Sequence, residues 1–304
     1  MANLLRPGRI YPTINKRPAA RELLAAPPAV VPRPPNLNPA PAARIARAMM
    51  LLPPDQLLET SRASQDPLDG GGAGGGPARR IRLREKATLD FVAALTLAVL
   101  AAPIVAATAL LVKLTSRGPA LYSQTRVGLN GRIFRIYKLR TMRHNCEAVS
   151  GVRWATAGDP RVTAVGRILR RTHLDELPQL WNVLRGDMSL VGPRPERPEF
   201  VARLGRDVDR YIERLTVRPG VTGLAQVQLP ADTDLESVRL KLCYDLHYID
   251  NAGLWLDLRL IVSTALKMLH IPFGVSRVLL RIPSRDVVGR AAGHPAATGQ
   301  PAMA

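Results

Sequence analysis

The chain has 304 residues and a formal net charge of +19, with 43 Lys and Arg against 24 Asp and Glu. That length allows a sizeable core, in one large or two ordinary domains. That charge implies an anionic partner: nucleic acid, an anionic membrane leaflet or a phosphorylated substrate. Aromatic residues are only 4% of the chain, which argues against the stacking platforms of single-strand nucleic-acid binders. Cys146 and Cys243 share no metal-ligand spacing and read as reduced thiols of a cytosolic compartment.

Residues 1–86 are rich in Pro, Ala and Arg, lack apolar periodicity and run through GGGAGGGP, Gly70–Pro77. Such a segment buries too little apolar surface to offset its ordering entropy, so a disordered basic extension is expected. A short helix near Ala42–Leu52 fits the local pattern. MANLLRPGRIYP is too broken by charge and proline for a signal-peptide core. Residues 283–304 return to Ala, Gly, Arg and Pro and are expected to form a disordered tail.

FVAALTLAVLAAPIVAATALLV, residues 91–112, carries no charge and is long enough as a helix to cross a bilayer. Its flanks are basic on both sides: ARRIRLREK before it, Lys113 and Arg117 after it. Positive charge marks the cytoplasmic face, and here both ends ask for it. Pro103 sits near the middle, where it removes a backbone hydrogen bond and bends a helix. A helix that enters and leaves through one leaflet meets both conditions. A straight span and a buried core helix are the competing readings. LWLDLRLIVSTALKMLHIPFGV, residues 254–275, is interrupted by Asp257, Arg259 and Lys267. It reads either as an amphipathic helix in the membrane interface or as a helix packed on the core.

GPALYSQTRVGLNGRIFRIYKLRTM, residues 118–142, reads as two strands around a Leu129-Asn130-Gly131 turn. Alternation separates Arg135 from Phe134 and Ile136. Lys138 and Arg140 then belong either to a half-solvated strand or to one lining a phosphate site. Downstream, Val162, Val165, Ile168 and Leu169 recur at helical spacing. Thr172 reads as the N-cap of a next helix, with Asp175 three residues on. That helix would turn Leu177, Leu180, Trp181 and Leu184 inward and end at Gly186.

Asp175 and Glu176 in a first helical turn can simply offset the macrodipole. The residues downstream of the pair favour a site. Asp187 comes directly after Gly186, and Gly192-Pro193-Arg194-Pro195 restrains the backbone on both sides of Arg194. A rigidly held guanidinium suits bidentate phosphate binding. Carboxylates nearby suit Mg²⁺, which takes one or two of them together with substrate phosphate oxygens.

The basic-flanked apolar segment, FRIYKLRTM, DPRVTAVGRILRRTHLDELPQLWNVLRGDMSLVGPRPE, RLTVRPGVTGLAQV and KLCYDLHYIDNAGLWLDLRLI succeed one another in this order. Over roughly residues 84–271 they resemble the bacterial sugar transferases of the monotopic phosphoglycosyl transferase superfamily. The resemblance implies a mainly helical α+β fold. It would comprise a re-entrant membrane hairpin helix at 87–114, broken at Pro103, a small cytoplasmic catalytic domain at 115–282, and interfacial amphipathic helices. It implies transfer of a sugar-1-phosphate from a UDP-sugar to undecaprenyl phosphate, with UMP leaving, as the first step of exopolysaccharide or related glycan assembly. Asp175 would be the nucleophile, Glu176 would assist, and Arg194, with Lys138 and Arg140, would hold phosphate. Asp175 and Asp187 would hold Mg²⁺. The enzyme would sit on the cytoplasmic face of the bacterial inner membrane, without nucleic acid as a partner, and a homo-oligomer fits equally well. A membrane-tethered nucleic-acid or anionic-lipid binder would explain the charge but not the acidic pair beside GPRP. Two departures from the family pattern stand out. Ala102-Pro103 replaces a common Ser-Pro, and AQVQLPAD replaces the usual Gly-Arg after AQV.

Overall fold

The computed structural model describes residues 77–146, 158–230, 232 and 234–292. The stretch before residue 77, including the helix expected near Ala42–Leu52, lies outside the described residues, as does the tail after 292.

The apolar segment forms one unbroken helix, α1 (Pro77–Thr115), which carries Pro103 inside it. It starts ahead of the boundary expected at 87. Over Glu85–Thr115 it is long and apolar enough to cross a membrane, and it is mostly exposed. A seam of small residues faces inward. Ala94, Ala98, Ala101 and Val105 pack on the main core. Val105, Ala109 and Val112 continue the seam onto Leu139 and Leu169. Spacings of three and four residues put these on one helix face, and small side chains let the helix lie close. Phe91, Leu95, Val99, Leu100 and Leu110 stay exposed on the other sides. Thr96 and Thr108 turn their hydroxyls onto the Val92 and Ile104 carbonyls of the same helix, 3.0 and 2.6 Å away, which satisfies a polar group on an apolar surface.

α1 is tied to the domain ahead of its apolar stretch and again at its C-terminal end. Lys86 Nζ lies 2.6 Å from Asp257 Oδ2. At the other end Arg140 Nη2 donates to the Ser116 carbonyl and hydroxyl at 2.9 and 2.8 Å.

β1 (Leu121–Val127) and β2 (Ile133–Leu139) pair antiparallel. The expected turn lies between them, with Asn130 and Gly131 at φ 54° and 81°, the left-handed conformation that Asn and Gly tolerate best. Phe134 and Ile136 are buried and Arg135 is exposed. Lys138 shares their parity and so points inward.

α2 (Ala164–Arg171) is capped by Thr163, whose hydroxyl accepts from Gly166 N at 2.9 Å. Thr172 does not open the next helix; it ends α2 and returns its hydroxyl to the Ile168 carbonyl. His173 then takes a left-handed turn, φ 56°, and a 3₁₀ turn runs over Leu174–Gln179 into α3 (Leu180–Leu184). Pro178 inside that turn supplies no N–H, which favours this tighter winding at the expense of a regular helix. Leu180 is buried, but Trp181 is 56% exposed, against the inward orientation expected for it. The 3₁₀ winding rotates the later positions away from the 3.6-residue pattern. Gly186 comes next at φ 75°, as expected for a helix stop.

β3 (Ser189–Val191) pairs parallel with β4 (Gly220–Thr222). Between them lie α4 (Pro198–Asp207) and a 3₁₀ turn over Tyr211–Thr216. α5 (Leu224–Gln228) leads to the long α6 (Leu235–Asp250), opened by a reciprocal Asp234–Ser237 capping box. The expected 254–275 helix is two: α7 (Leu254–Met268) and α8 (Phe273–Leu279), parted before Pro272. On α7, Leu256, Leu260 and Ser263 are buried while Leu254, Trp255, Leu258 and Val262 are exposed. The buried face meets the core-packed reading, and the other face leaves apolar side chains exposed. The expected tail is helical at its start: α9 (Arg285–Ala292) comes after Ile282, and Ile282 and Val288 are buried in the main core. Two apolar anchors suffice to dock this short helix.

Candidate active site

Asp175 and Glu176 occupy the first turn of the Leu174–Gln179 3₁₀ segment. Asn182 fixes this segment to the hairpin. Its side chain accepts from Tyr137 N at 3.2 Å and donates to the Arg135 carbonyl at 2.7 Å, like an added strand on β2. Lys138, inward on the same strand, thereby meets Glu176: Nζ to Oε1 is 2.7 Å.

Arg194 closes on Glu176 from the GPRP segment. Its Nη2 is 2.5 Å from Oε1 and its Nη1 is 3.3 Å from Oε2, a two-pronged contact. Arg194 Nη1 also donates to Gln226 Oε1 at 3.1 Å. Lys267 Nζ, from the last turn of α7, donates to the Gln226 carbonyl at 3.0 Å.

The two carboxylates are in opposite electrostatic situations. Burial alone would raise the Glu176 pKa, but Arg194 and Lys138 outweigh it and hold the group well below the usual range. Glu176 stays ionised and already engaged, so it is a poor proton acceptor. For Asp175, burial dominates, the Glu176 charge adds to it, and the more distant Lys138, Arg170 and Arg194 oppose. The result is about 6. Asp175 is 7% exposed, and its carboxylate makes no hydrogen bond or ion pair among the described residues. An unengaged, desolvated carboxylate is a competent nucleophile or cation ligand.

Of the residues expected from sequence, Asp175, Glu176, Lys138 and Arg194 come together. Arg140 does not join their bonding network. Its guanidinium is turned to the C-terminal end of α1, because Leu139 ends the strand and breaks the alternation. Asp187 has its carboxylate 3.3 Å from Arg185 Nε. Among the described residues no three His, Cys, Asp or Glu side chains form a cluster that could hold a metal. Mg²⁺ needs only one or two protein carboxylates beside substrate phosphates, and Asp175 alone fits that more modest demand.

Sequence reasoning missed His173, Gln226 and Lys267. Burial lowers the His173 pKa against the pull of Glu176, with Lys267, Arg194 and Lys138 adding to the fall. Gln226 stood inside the conspicuous RPGVTGLAQV block, so a signal existed for it. Lys267 lies in a segment read only for its apolar pattern.

Behind Arg194, Glu196 pairs with Lys241 at 2.9 Å and with Arg126 at 3.5 Å. Burial would raise its pKa, but Lys241, Arg214 and Arg126 bring it to about 2 from an ordinary 4.5. A depressed carboxylate stabilises the fold above its unfolded pKa and ceases to as pH falls through the folded one. The contribution, on the order of 3 kcal/mol, is present above pH of about 4.5 and lost toward about 2. Thermal melts of detergent-solubilised protein are expected to show Glu196→Gln with a flatter acid limb. An unchanged limb would contradict the assignment.

A family profile described as "Bacterial sugar transferase" matches residues 81–271. A Caulobacter vibrioides protein named UDP-glucose:undecaprenyl-phosphate glucose-1-phosphate transferase is 48% identical over 198 residues, covering 64% of this chain and 74% of its own. An Aeromonas hydrophila protein named UDP-N-acetylgalactosamine-undecaprenyl-phosphate N-acetylgalactosaminephosphotransferase is 46% identical over 179 residues. That match covers 59% of this chain but 42% of the relative. A Rhizobium leguminosarum bv. phaseoli protein named "Exopolysaccharide production protein PSS" is 42% identical over 189 residues, covering 60% of this chain and 94% of its own. The chain thus spans less than half of the Aeromonas relative and about three quarters of the Caulobacter one. With the family profile matched from within α1 to just past the end of α7, well over half of the chain, the chain belongs to the bacterial sugar transferase family.

Proposed function

We propose that this chain transfers a sugar-1-phosphate from a UDP-sugar to undecaprenyl phosphate and releases UMP. The observation that carries this reading is the pairing of an unengaged buried carboxylate, Asp175, with a neighbouring Glu176–Lys138–Arg194 cluster. Asp175 attacks the sugar-bearing phosphorus. The phosphoanhydride bond breaks, UMP departs with the electron pair, and a phosphosugar-aspartyl mixed anhydride remains. An oxygen of the lipid phosphate then attacks the same phosphorus and the Asp175 carboxylate leaves. Arg194 and Lys138 bear on the phosphate oxygens, and Glu176 holds both cations in place. Mg²⁺ held by Asp175 would shield the diphosphate charge.

A same-leaflet seat for α1 is part of this reading. Both halves of its inner seam pack on the one domain, and ties at Lys86 and Ser116 flank its apolar stretch. A straight span would carry one half away from those contacts. The exposed apolar face of α7, with Trp255 at its edge, suits the interface of the same membrane. This supports a monotopic enzyme on the cytoplasmic face of the inner membrane.

The reading is tested by the nucleotide released. Membranes containing the protein are given Mg²⁺, undecaprenyl phosphate, and UDP-glucose or UDP-N-acetylgalactosamine, the donors named for two relatives. UMP is the expected product. UDP would mean sugar transfer without the phosphate and would overturn the scheme.

A further inference from the structure

The GPRP segment holds itself poorly. Pro193 and Pro195 have no N–H, so its carbonyls need donors from elsewhere. Each carbonyl from Gly192 to Glu196 has one. The Pro193 and Glu196 carbonyls accept from main-chain N–H groups of Gly220 and Val127, both at 2.9 Å. The Gly192 carbonyl accepts from Gln226 Nε2 at 3.4 Å. The remaining two accept from guanidinium groups. Arg214 Nη2 reaches the Arg194 carbonyl at 2.9 Å, and Arg126 Nη1 reaches the Pro195 carbonyl at 3.1 Å.

Arg214 is the more telling of the two. Its side chain is 3% exposed, and Asp245 opposite is 4% exposed. Arg214 Nε and Nη2 lie 3.1 and 2.8 Å from Asp245 Oδ2. Arg214 Nη1 donates to the Tyr211 hydroxyl at 2.8 Å. So one prong of a fixed fork is spent on the backbone of the residue whose side chain faces Glu176. A buried ion pair is a poor way to gain stability, since desolvation offsets most of its attraction. A rigid planar fork is a good way to fix a position.

We infer that Arg214, held by Asp245, is a positioning residue that fixes the Arg194 main chain and so aims its guanidinium at the substrate phosphate. This rests on the phosphate role proposed for Arg194. Asp245 lies on α6 and Arg214 in the 3₁₀ turn before β4. The second layer of the site is therefore built from elements remote in sequence from the acidic pair.

The test is a coupling measurement on the full chain, reading UMP release and melting temperature together. Arg214→Lys keeps the charge beside Asp245 but loses the fork. It is expected to lower kcat/KM by about 10-fold or more, since small misplacement of a binding group has effects of that order. Its melting temperature should change little. The paired change Arg214→Met with Asp245→Leu removes the buried ion pair for apolar volume, a replacement that folds readily in other proteins. It should cause a similar loss. In an Arg194→Ala background, either change should cost less than about twofold more, because the residue being aimed is gone. Equal losses in both backgrounds would reduce Arg214 to a structural part and overturn the inference. So would full activity in either variant. If the paired variant does not accumulate, Arg214→Lys decides alone. Unchanged activity of Arg194→Ala by itself would instead refute the phosphate role, whatever Arg214 does.

Discussion

Asp175→Asn is expected to abolish transfer while leaving the fold intact or slightly firmer. Asn has nearly the shape of Asp, so the 3₁₀ turn and its neighbours keep their packing. It lacks the charged oxygen that must bond to phosphorus. Loss of a covalent nucleophile reduces turnover by at least about 1,000-fold in comparable enzymes. Stability should move the other way. Asp175 is buried, is raised to about 6, and has no hydrogen-bonding partner among the described residues. Holding it ionised at neutral pH costs the folded state on the order of 1–3 kcal/mol. The neutral amide removes most of that cost. A melt without Mg²⁺ should show an equal or higher midpoint. A variant that loses activity together with several degrees of stability would mean that Asp175 is a structural residue.

Gly220→Ala is expected to be among the most damaging single methyls in the catalytic domain. A Cβ at Gly220 would stand 2.0 Å from Gly192 N and 2.3 Å from the Thr222 carbonyl oxygen. Both are main-chain atoms, so no side chain can swing aside. The neighbouring glycines are as tightly placed: a Cβ at Gly192 would stand 2.4 Å from the Arg218 carbonyl oxygen, and one at Gly223 2.2 Å from the Gly192 carbonyl oxygen. This is where β3 and β4 pair and where the GPRP segment meets the RPGVTG loop. The cost should be at least about 3 kcal/mol, the upper range for overpacking, because the strands must separate. Arg194 would move with them. Gly253→Ala is a suitable control, since nothing lies within 4 Å of its added Cβ. Expression level and melting temperature of the two variants check this. Comparable melts would contradict the close approach.

How much was legible in sequence depended on how local each cause was. The Asn130-Gly131 turn and the Gly186 stop arise from residues that tolerate positive φ, and both stand where expected. The acidic pair and Arg194 announced themselves by residue type, and the structure brings them together. Thr172 misled because a Ser or Thr before an acid looks alike at either end of a helix. The left-handed turn at His173, which separates α2 from the 3₁₀ segment, carries no glycine to announce it. Arg140 misled because a strand's alternation says nothing once the strand has ended. Gln226, Lys267, Arg214 and Asp245 reach the site through contacts of long sequence separation, and no periodicity encodes these. The inner seam of α1 was hidden because a run of apolar residues looks the same whichever face is turned inward.

The most direct measurement omits the lipid acceptor. Purified protein is mixed with Mg²⁺ and its UDP-sugar donor, quenched, and weighed intact, with UMP counted in parallel. Transfer through Asp175 predicts about one UMP per protein in a single burst and a mass gain of one sugar phosphate. Peptide mapping should place it on Asp175, and Asp175→Asn should show neither. UMP release that requires undecaprenyl phosphate, with no mass gain at any time, would mean direct displacement by the lipid. That result would contradict the nucleophilic role on which the site has been interpreted.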